Sequence, residues 1–221
     1  MGRRSTHSDH MAPDSGIICN CRWHIFTTAE KRLKTEGVLT DSKPKGYAVE
    51  LYFDQKMEDE FFSFRESLYK LGIDPVLGLL GDRPHVSLAV FGEIDIDQII
   101  KITTAFAPQC KQLAAQLDAF GAFPTTSNVI YLLPVPSQPL LELHRKFHEL
   151  LQKEKILSSH YYLPGQWVPH CTLEFELPDD QLNLAFQLCK KHFSPIRGTF
   201  STIGVIAFRP IAYLAEFPLP K

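Results

Sequence analysis

Two short segments of the sequence echo one another. Pro84-His85-Val86-Ser87-Leu88 recurs as Pro169-His170-Cys171-Thr172-Leu173, with 85 positions between the histidines. Side chains alternate along a strand, so His85 and Ser87 are expected on one face and Val86, Leu88 and Val90 on the other. In the second copy, His170 and Thr172 are expected to oppose Cys171, Leu173 and Phe175. Each strand then offers an imidazole beside a hydroxyl on one side and an apolar row for helices on the other. With 16 prolines and nine histidines in 221 residues, two such hits arise by chance with a probability of roughly 0.0005 if positions are independent. The repeat asks for a fold of two similar halves, each presenting one such strand.

Composition narrows the class. Apolar residues are 44% and charged residues 22% of the chain, which excludes disordered, collagenous and coiled-coil sequences. The longest apolar stretch, 129–135, contains Pro134 and is far too short to cross a bilayer. The formal net charge is -2, so no bulk attraction to a long duplex or to anionic lipid is available. Residues 1–45 hold eight Lys/Arg against five Asp/Glu; the remainder is mildly acidic and better suited to a small phosphate or an RNA end. Cys19, Cys21, Cys110, Cys171 and Cys189 form an odd, sparse set that points to a reducing cytoplasm rather than a disulfide framework.

The first eleven residues, MGRRSTHSDHM, read as an expression scar. Residues 12–45 read as an N-terminal extension, with a short helix near 28–36 and a turn-rich linker from Asp41 to Gly46. Over 46–221, runs of period two alternate with runs of helical spacing. Strands are expected at 47–53, 84–91, 115–123, 128–133, 168–177, 200–208 and 212–217. Helices are expected at 57–71, 96–113, 140–151 and 181–192. That order implies an α+β, bilobal, pseudo-symmetric fold: two mostly antiparallel sheets flank a central cleft, with helices on the outer faces.

Paired His-x-[Ser/Thr]-apolar motifs, one per half of a duplicated α+β fold, resemble the two-histidine phosphoesterase superfamily. That superfamily includes the RNA 2',3'-cyclic phosphodiesterases historically called 2'-5' RNA ligases. The resemblance covers residues 46–221, and the Trp167-Val168-Pro169-His170 approach adds to it. It implies that His85 and His170 are catalytic and that Ser87 and Thr172 bind the substrate phosphate. It also implies that a 2',3'-cyclic phosphate opens to a 2'-phosphate, with His85 as acid and His170 as base. Ser87 stands where many members have threonine, which keeps the donor.

The chemistry of the residues agrees with that resemblance. Opening a cyclic phosphodiester needs a proton taken from water and another given to the leaving ribose oxygen, on opposite sides of phosphorus. Two imidazoles with ordinary pKa near 6.5 supply one neutral and one protonated partner at neutral pH. The two hydroxyls donate to the non-bridging oxygens as charge develops there. No metal and no cofactor are expected. The expected partner is a small nucleotide or an RNA terminus bearing a cyclic phosphate, with no membrane contact, and the chain is expected to be a monomer. Two other readings use the same residues: a phosphodiesterase for another cyclic or 2',5'-linked nucleotide, and a non-catalytic module that binds an RNA end.

Several further residues invite a role. Arg83 is the cation nearest the first motif. Tyr131 and Trp167 are candidates to stack a nucleobase. Glu174 and Glu176 continue the expected face of His170, where carboxylates either orient an imidazole or meet water. His144 and His148 are spaced as in helical zinc proteases, but Arg145 stands where the catalytic glutamate belongs, so a solvated helix face is expected. Cys19, Cys21 and His24 have zinc-like spacing without an evident fourth ligand.

Overall fold

The period-two runs join into one antiparallel sheet with amphipathic helices packed against it. The computed structural model describes residues 43–123 and 125–221. Its elements are β1 (Gly46–Phe53), α1 (Gln55–Lys70), β2 (His85–Phe91), α2 (Ile96–Phe106), β3 (Leu113–Ala122), β4 (Ile130–Pro134), α3 (Gln138–Lys153), β5 (Cys171–Glu174), α4 (Asp179–His192), β6 (Ile196–Phe208) and β7 (Ala212–Pro218). The class is α+β, as expected. The expression scar, most of the extension with its short helix, and the Cys19, Cys21 and His24 spacing lie outside the described residues.

The strand order is β2-β1-β6-β3-β4-β5, with β7 also on β6, and every pairing is antiparallel. The two expected sheets are joined because β6, at 13 residues, is long enough to serve both halves. One edge of β6 takes β1 from Phe200 to Phe208. The other is divided between β3, up to Phe200, and β7, from Thr202. The two ends of the path, β2 and β5, come together, and the Trp167 indole N–H donates to the Ser87 carbonyl across them at 3.0 Å. The two motifs therefore meet, although 85 positions separate them.

Both motif strands carry the same irregularity. In β2, Val49 faces Ala89 and Glu50 faces Ser87, so Leu88 is bulged out of the ladder. In β5, Ile130 faces Glu174 and Tyr131 faces Thr172, so Leu173 is bulged. Each bulge sits three residues after its histidine and reverses the alternation beyond it. Two expectations fail for this one reason. Val90 leaves the face of Val86 and Leu88, while Ala89 and Phe91 are buried instead; Glu174 leaves the face of His170 and is buried. The segment expected as a strand over 168–177 shortens to four residues. Glu176 turns to a φ of 55° and donates its N–H to the Ser127 carbonyl. The second helix also stops early, at Phe106, because Pro108 opens a short 3-10 turn before β3.

Apolar spacing places Met57, Phe61 and Leu68 of α1 and Leu140, Leu143, Phe147 and Leu151 of α3 in the core. Among the described residues no helix is long and apolar enough to cross a membrane. Asp54 both starts α1 and ties it to the sheet. Its Oδ1 accepts the Met57 N–H at 2.9 Å, and its Oδ2 accepts the Thr199 N–H at 2.6 Å and the Thr199 hydroxyl at 2.9 Å. Gly198 makes room, since a Cβ there would meet Oδ2 at 2.6 Å. Burial alone would raise the Asp54 carboxyl, but these donors hold it below the ordinary value. The contribution is therefore present above the unfolded-state pKa and lost as pH falls through the lower folded one. Asp54→Ala is expected to cost about 1–2 kcal/mol in urea unfolding at neutral pH. An unchanged midpoint would contradict the role given to this cap.

Candidate active site

The start of β2 supplies His85 and Ser87, while His170 stands immediately before β5 and Thr172 within it, all four half-buried. The histidines are held alike. His85 Nδ1 lies 2.7 Å from the Arg83 carbonyl, and His170 Nδ1 lies 2.7 Å from the Val168 carbonyl. A carbonyl only accepts, so Nδ1 carries the proton in each ring and Nε2 is the nitrogen left for proton exchange. The paired anchors come from the same backbone position, two residues before each histidine.

The surroundings of the two rings differ. Glu50 Oε1 lies 3.3 Å from His85 Nε2, and Asp82 Oδ1 lies 3.4 Å from His85 Nδ1. Glu50 is 2% exposed, and its other oxygen accepts the Tyr52 hydroxyl at 2.8 Å. The Tyr52 ring lies over Gly204, where a Cβ would meet it at 2.2 Å, and meets His85 edge-on at a centroid distance of 6.5 Å. Aromatic rings replace carboxylates at His170. Phe123 stands edge-on to it at 4.9 Å, and Tyr131 lies tilted to it at 5.5 Å.

These environments separate the two titrations. Burial pulls His85 down, but Glu50, Asp82 and the Arg83 carbonyl outweigh it and raise the ring above its ordinary value. Burial also lowers His170, and with only the Val168 carbonyl to oppose it and the His85 charge adding to it, the ring falls to about 4. Burial raises Glu50 and Asp82 as well, so His85 and its two carboxylates titrate as one cluster. The two rings are thus biased in opposite directions, His85 toward its charged form and His170 toward its neutral one.

The other candidates fall in several places. Arg83 precedes the first residue of β2, and its guanidinium turns away to Glu58 at 2.8 Å and Glu216 at 2.9 Å, over the Tyr52 ring. Tyr131 is 7% exposed and covered by Phe123 at 4.4 Å. Trp167 stacks flat on His144 at 3.9 Å and directs its N–H to Ser87. Phe123, half-exposed beside His170, is the ring that sequence reading missed. Glu174 does not reach His170. It accepts the Tyr69 hydroxyl at 2.7 Å and the Leu77 N–H, and burial raises it to about 7 despite these donors. Glu176 pairs with Arg209 at 3.5 Å.

The solvated face expected for His144 and His148 is buried instead, because both lie on the apolar stripe of α3. His144 Nε2 bonds the Tyr162 carbonyl at 2.9 Å, and His148 Nε2 bonds the bulged Leu88 carbonyl at 3.0 Å. Burial lowers both, His144 to about 4, with the His148 charge adding to the shift. Glu50 and Asp82 were also missed. One signal was a single carboxylate inside the apolar run Ala48-Val49-Glu50-Leu51-Tyr52; the other was an acid three residues before the first histidine, where the second copy has Trp167.

The chain is similar to several known proteins. The family model described as the 2'-5' RNA ligase superfamily matches residues 76–209, which include both motifs. A Bacillus licheniformis protein that bears a phosphoesterase name is 26% identical over 138 residues, 61% of this chain and 73% of its own length. A similarly named Geobacillus protein is 29% identical over 136 residues, 60% of this chain and 70% of its own. Among solved structures, E. coli LigT in apo form aligns with a TM-score of 0.55 at 15% identity, covering 81% of this chain and all of that one. A Thermus thermophilus protein, TT0787, aligns at 0.51 and 16% identity, covering 79% of this chain and 97% of its own. At these identities the structures share the fold.

A nitrogen-15 NMR titration of the ligand-free protein checks the two environments. His170 is expected to remain neutral, with its proton on Nδ1, down to about pH 4, while His85 titrates above 6.5. A His170 that titrates at 6.5 or higher would contradict the geometry.

Proposed function

The chain belongs to the 2'-5' RNA ligase superfamily, a family of two-histidine phosphoesterases, and from that premise we propose that it is a metal-independent phosphodiesterase. Its proposed substrate is a 2',3'-cyclic phosphate on an RNA end or small nucleotide, opened to a 2'-phosphate. The observation that carries this reading is that two imidazoles on neighbouring segments are anchored alike through Nδ1, so that each presents Nε2, one beside carboxylates and the other among aromatic rings. An in-line displacement at phosphorus needs that pair: a neutral base on one side and a charged acid on the other.

In this reading the neutral His170 accepts a proton from water at Nε2 as the water oxygen bonds to phosphorus. The bond from phosphorus to the ribose 3'-oxygen breaks on the opposite side, and His85 gives its Nε2 proton to that oxygen. The 2'-oxygen keeps the phosphate. The ring states end reversed, and exchange with solvent restores them. Ser87 and Thr172 donate their hydroxyl hydrogens to the non-bridging oxygens. Phe123 offers an aromatic surface beside His170 for the base, a part for which Tyr131 and Trp167 are already covered. The unpaired Cys110, Cys171 and Cys189 are compatible with a reducing, cytoplasmic setting, and nothing in the scheme needs more than one chain.

The test is turnover of 2',3'-cyclic AMP, resolved by chromatography. His85→Ala and His170→Ala are each expected to lose about 10²–10⁴-fold in kcat with the fold intact. Ser87→Ala and Thr172→Ala are expected to lose less, each removing one donor of several. EDTA is expected to change nothing. The pH profile follows from the two shifts. The base works only above the His170 value, so activity rises through about pH 4. The acid works only below the raised His85 value, so activity falls above pH 6.5. A 3'-phosphate product, a fully active single-histidine variant, or activity lost to EDTA and restored by zinc would overturn the reading.

A further inference from the structure

The two halves repeat each other closely enough that departures from the repeat can be identified position by position. Ser87 and Thr172 correspond, and each is followed by a bulged leucine. The residue facing Ser87 across the ladder is Glu50; the residue facing Thr172 is Tyr131. Three residues before each histidine the pattern repeats, with Asp82 in the first half and Trp167 in the second. At both positions a carboxylate stands on the His85 side and an aromatic ring on the His170 side. Only one of these carboxylates touches the reacting nitrogen. Asp82 lies by Nδ1, behind the ring, where the Arg83 carbonyl is nearer; Glu50 lies at Nε2.

We propose that Glu50 is a positioning residue that assigns the acid role to His85 and so fixes the direction in which the phosphodiester is opened. Its carboxylate faces the edge of the ring from which the proton leaves. The opposite oxygen is tethered by the Tyr52 hydroxyl, and Tyr52 is seated against Gly204, so the carboxylate is not free to swing away. At 3.3 Å the contact is at the long end of a hydrogen bond. Glu50 therefore keeps the ring charged without gripping the proton that must pass to the leaving oxygen. Tyr131 offers no such charge to His170.

Of the other groups around His85, Asp82 also favours its charge, but from the Nδ1 side, away from the nitrogen that exchanges the proton. From the segment before β2 come Asp82 and Arg83, from α1 Arg65, from the residue before β5 His170, from β5 Cys171, and from β7 Tyr213. Arg65 opposes charge on the ring. Arg83 is engaged by Glu58 and Glu216. Tyr213 accepts the Arg83 N–H at 3.1 Å, and burial keeps it and Cys171 in their neutral forms.

The inference rests on the phosphodiesterase reading for its consequence in catalysis, but its physical core is measured without substrate. In Glu50→Gln, the His85 titration of the ligand-free protein is expected to fall by about one unit or more, and the alkaline limb of kcat/KM is expected to move down with it. The acid limb, set by His170, is expected to stay nearly in place. Tyr52→Phe is expected to shift the same limb in the same direction by less, since it loosens the carboxylate without removing it, and Glu50→Asp is expected to restore part of the wild-type profile. Should Glu50→Gln fail to fold, Tyr52→Phe decides. Lower activity with an unmoved His85 titration would overturn the inference and leave the phosphodiesterase reading standing. A wild-type protein that opens no cyclic phosphate would remove that reading while the titration still decides what Glu50 does to His85.

Discussion

The chemistry of this fold depends on two backbone carbonyls. The Arg83 and Val168 carbonyls each accept a hydrogen bond from the Nδ1–H of a histidine two residues on, at the same 2.7 Å, and this choice of tautomer leaves Nε2 clear of the backbone. Without that anchor an imidazole beside a hydroxyl is a common strand feature. With it, the ring is turned to one angle and offers one nitrogen. The anchors then have to be brought together, and the length of β6 does this. By carrying β1 on one edge and dividing the other between β3 and β7, it lets the sheet run from one motif to the other until its two ends meet.

A duplicated scaffold by itself gives two equivalent histidines, which cannot act as acid and base with a preferred direction. The equivalence is broken by the neighbours of the rings, since burial lowers both and carboxylates oppose it at only one. The scaffold supplies the geometry, and a few departures from its repeat supply the charge. The same logic explains why Trp167 and His144 are structural here: they stack on one another and hold the β2–β5 junction through the Ser87 carbonyl.

Much of this was legible in the sequence, and the rest was hidden for identifiable reasons. The order and type of every main element follow from periodicity, and the motif echo alone singles out His85, Ser87, His170 and Thr172 as candidates. Alternation beyond Leu88 and Leu173 was not legible, because a bulge is set by the partner strand; Val90 and Glu174 were misplaced for that reason. Glu50 escaped because its partner His85 is on another strand and a lone acid in a strand ordinarily faces water. For His144 and His148 the solvated face follows from setting aside the zinc-protease spacing at Arg145, although their spacing with Leu140, Phe147 and Leu151 places them on the apolar stripe.

The central claim is that His85 acts on the leaving oxygen and His170 on the water. Leaving-group rescue tests it most directly: the two alanine variants are compared on a phosphodiester with a ribose leaving oxygen and on one with a nitrophenolate in its place. A good leaving group needs no proton, so His85→Ala is predicted to recover most of its deficit relative to the wild type, while His170→Ala, still lacking its base, stays impaired. Rescue of His170→Ala in place of His85→Ala would contradict the account.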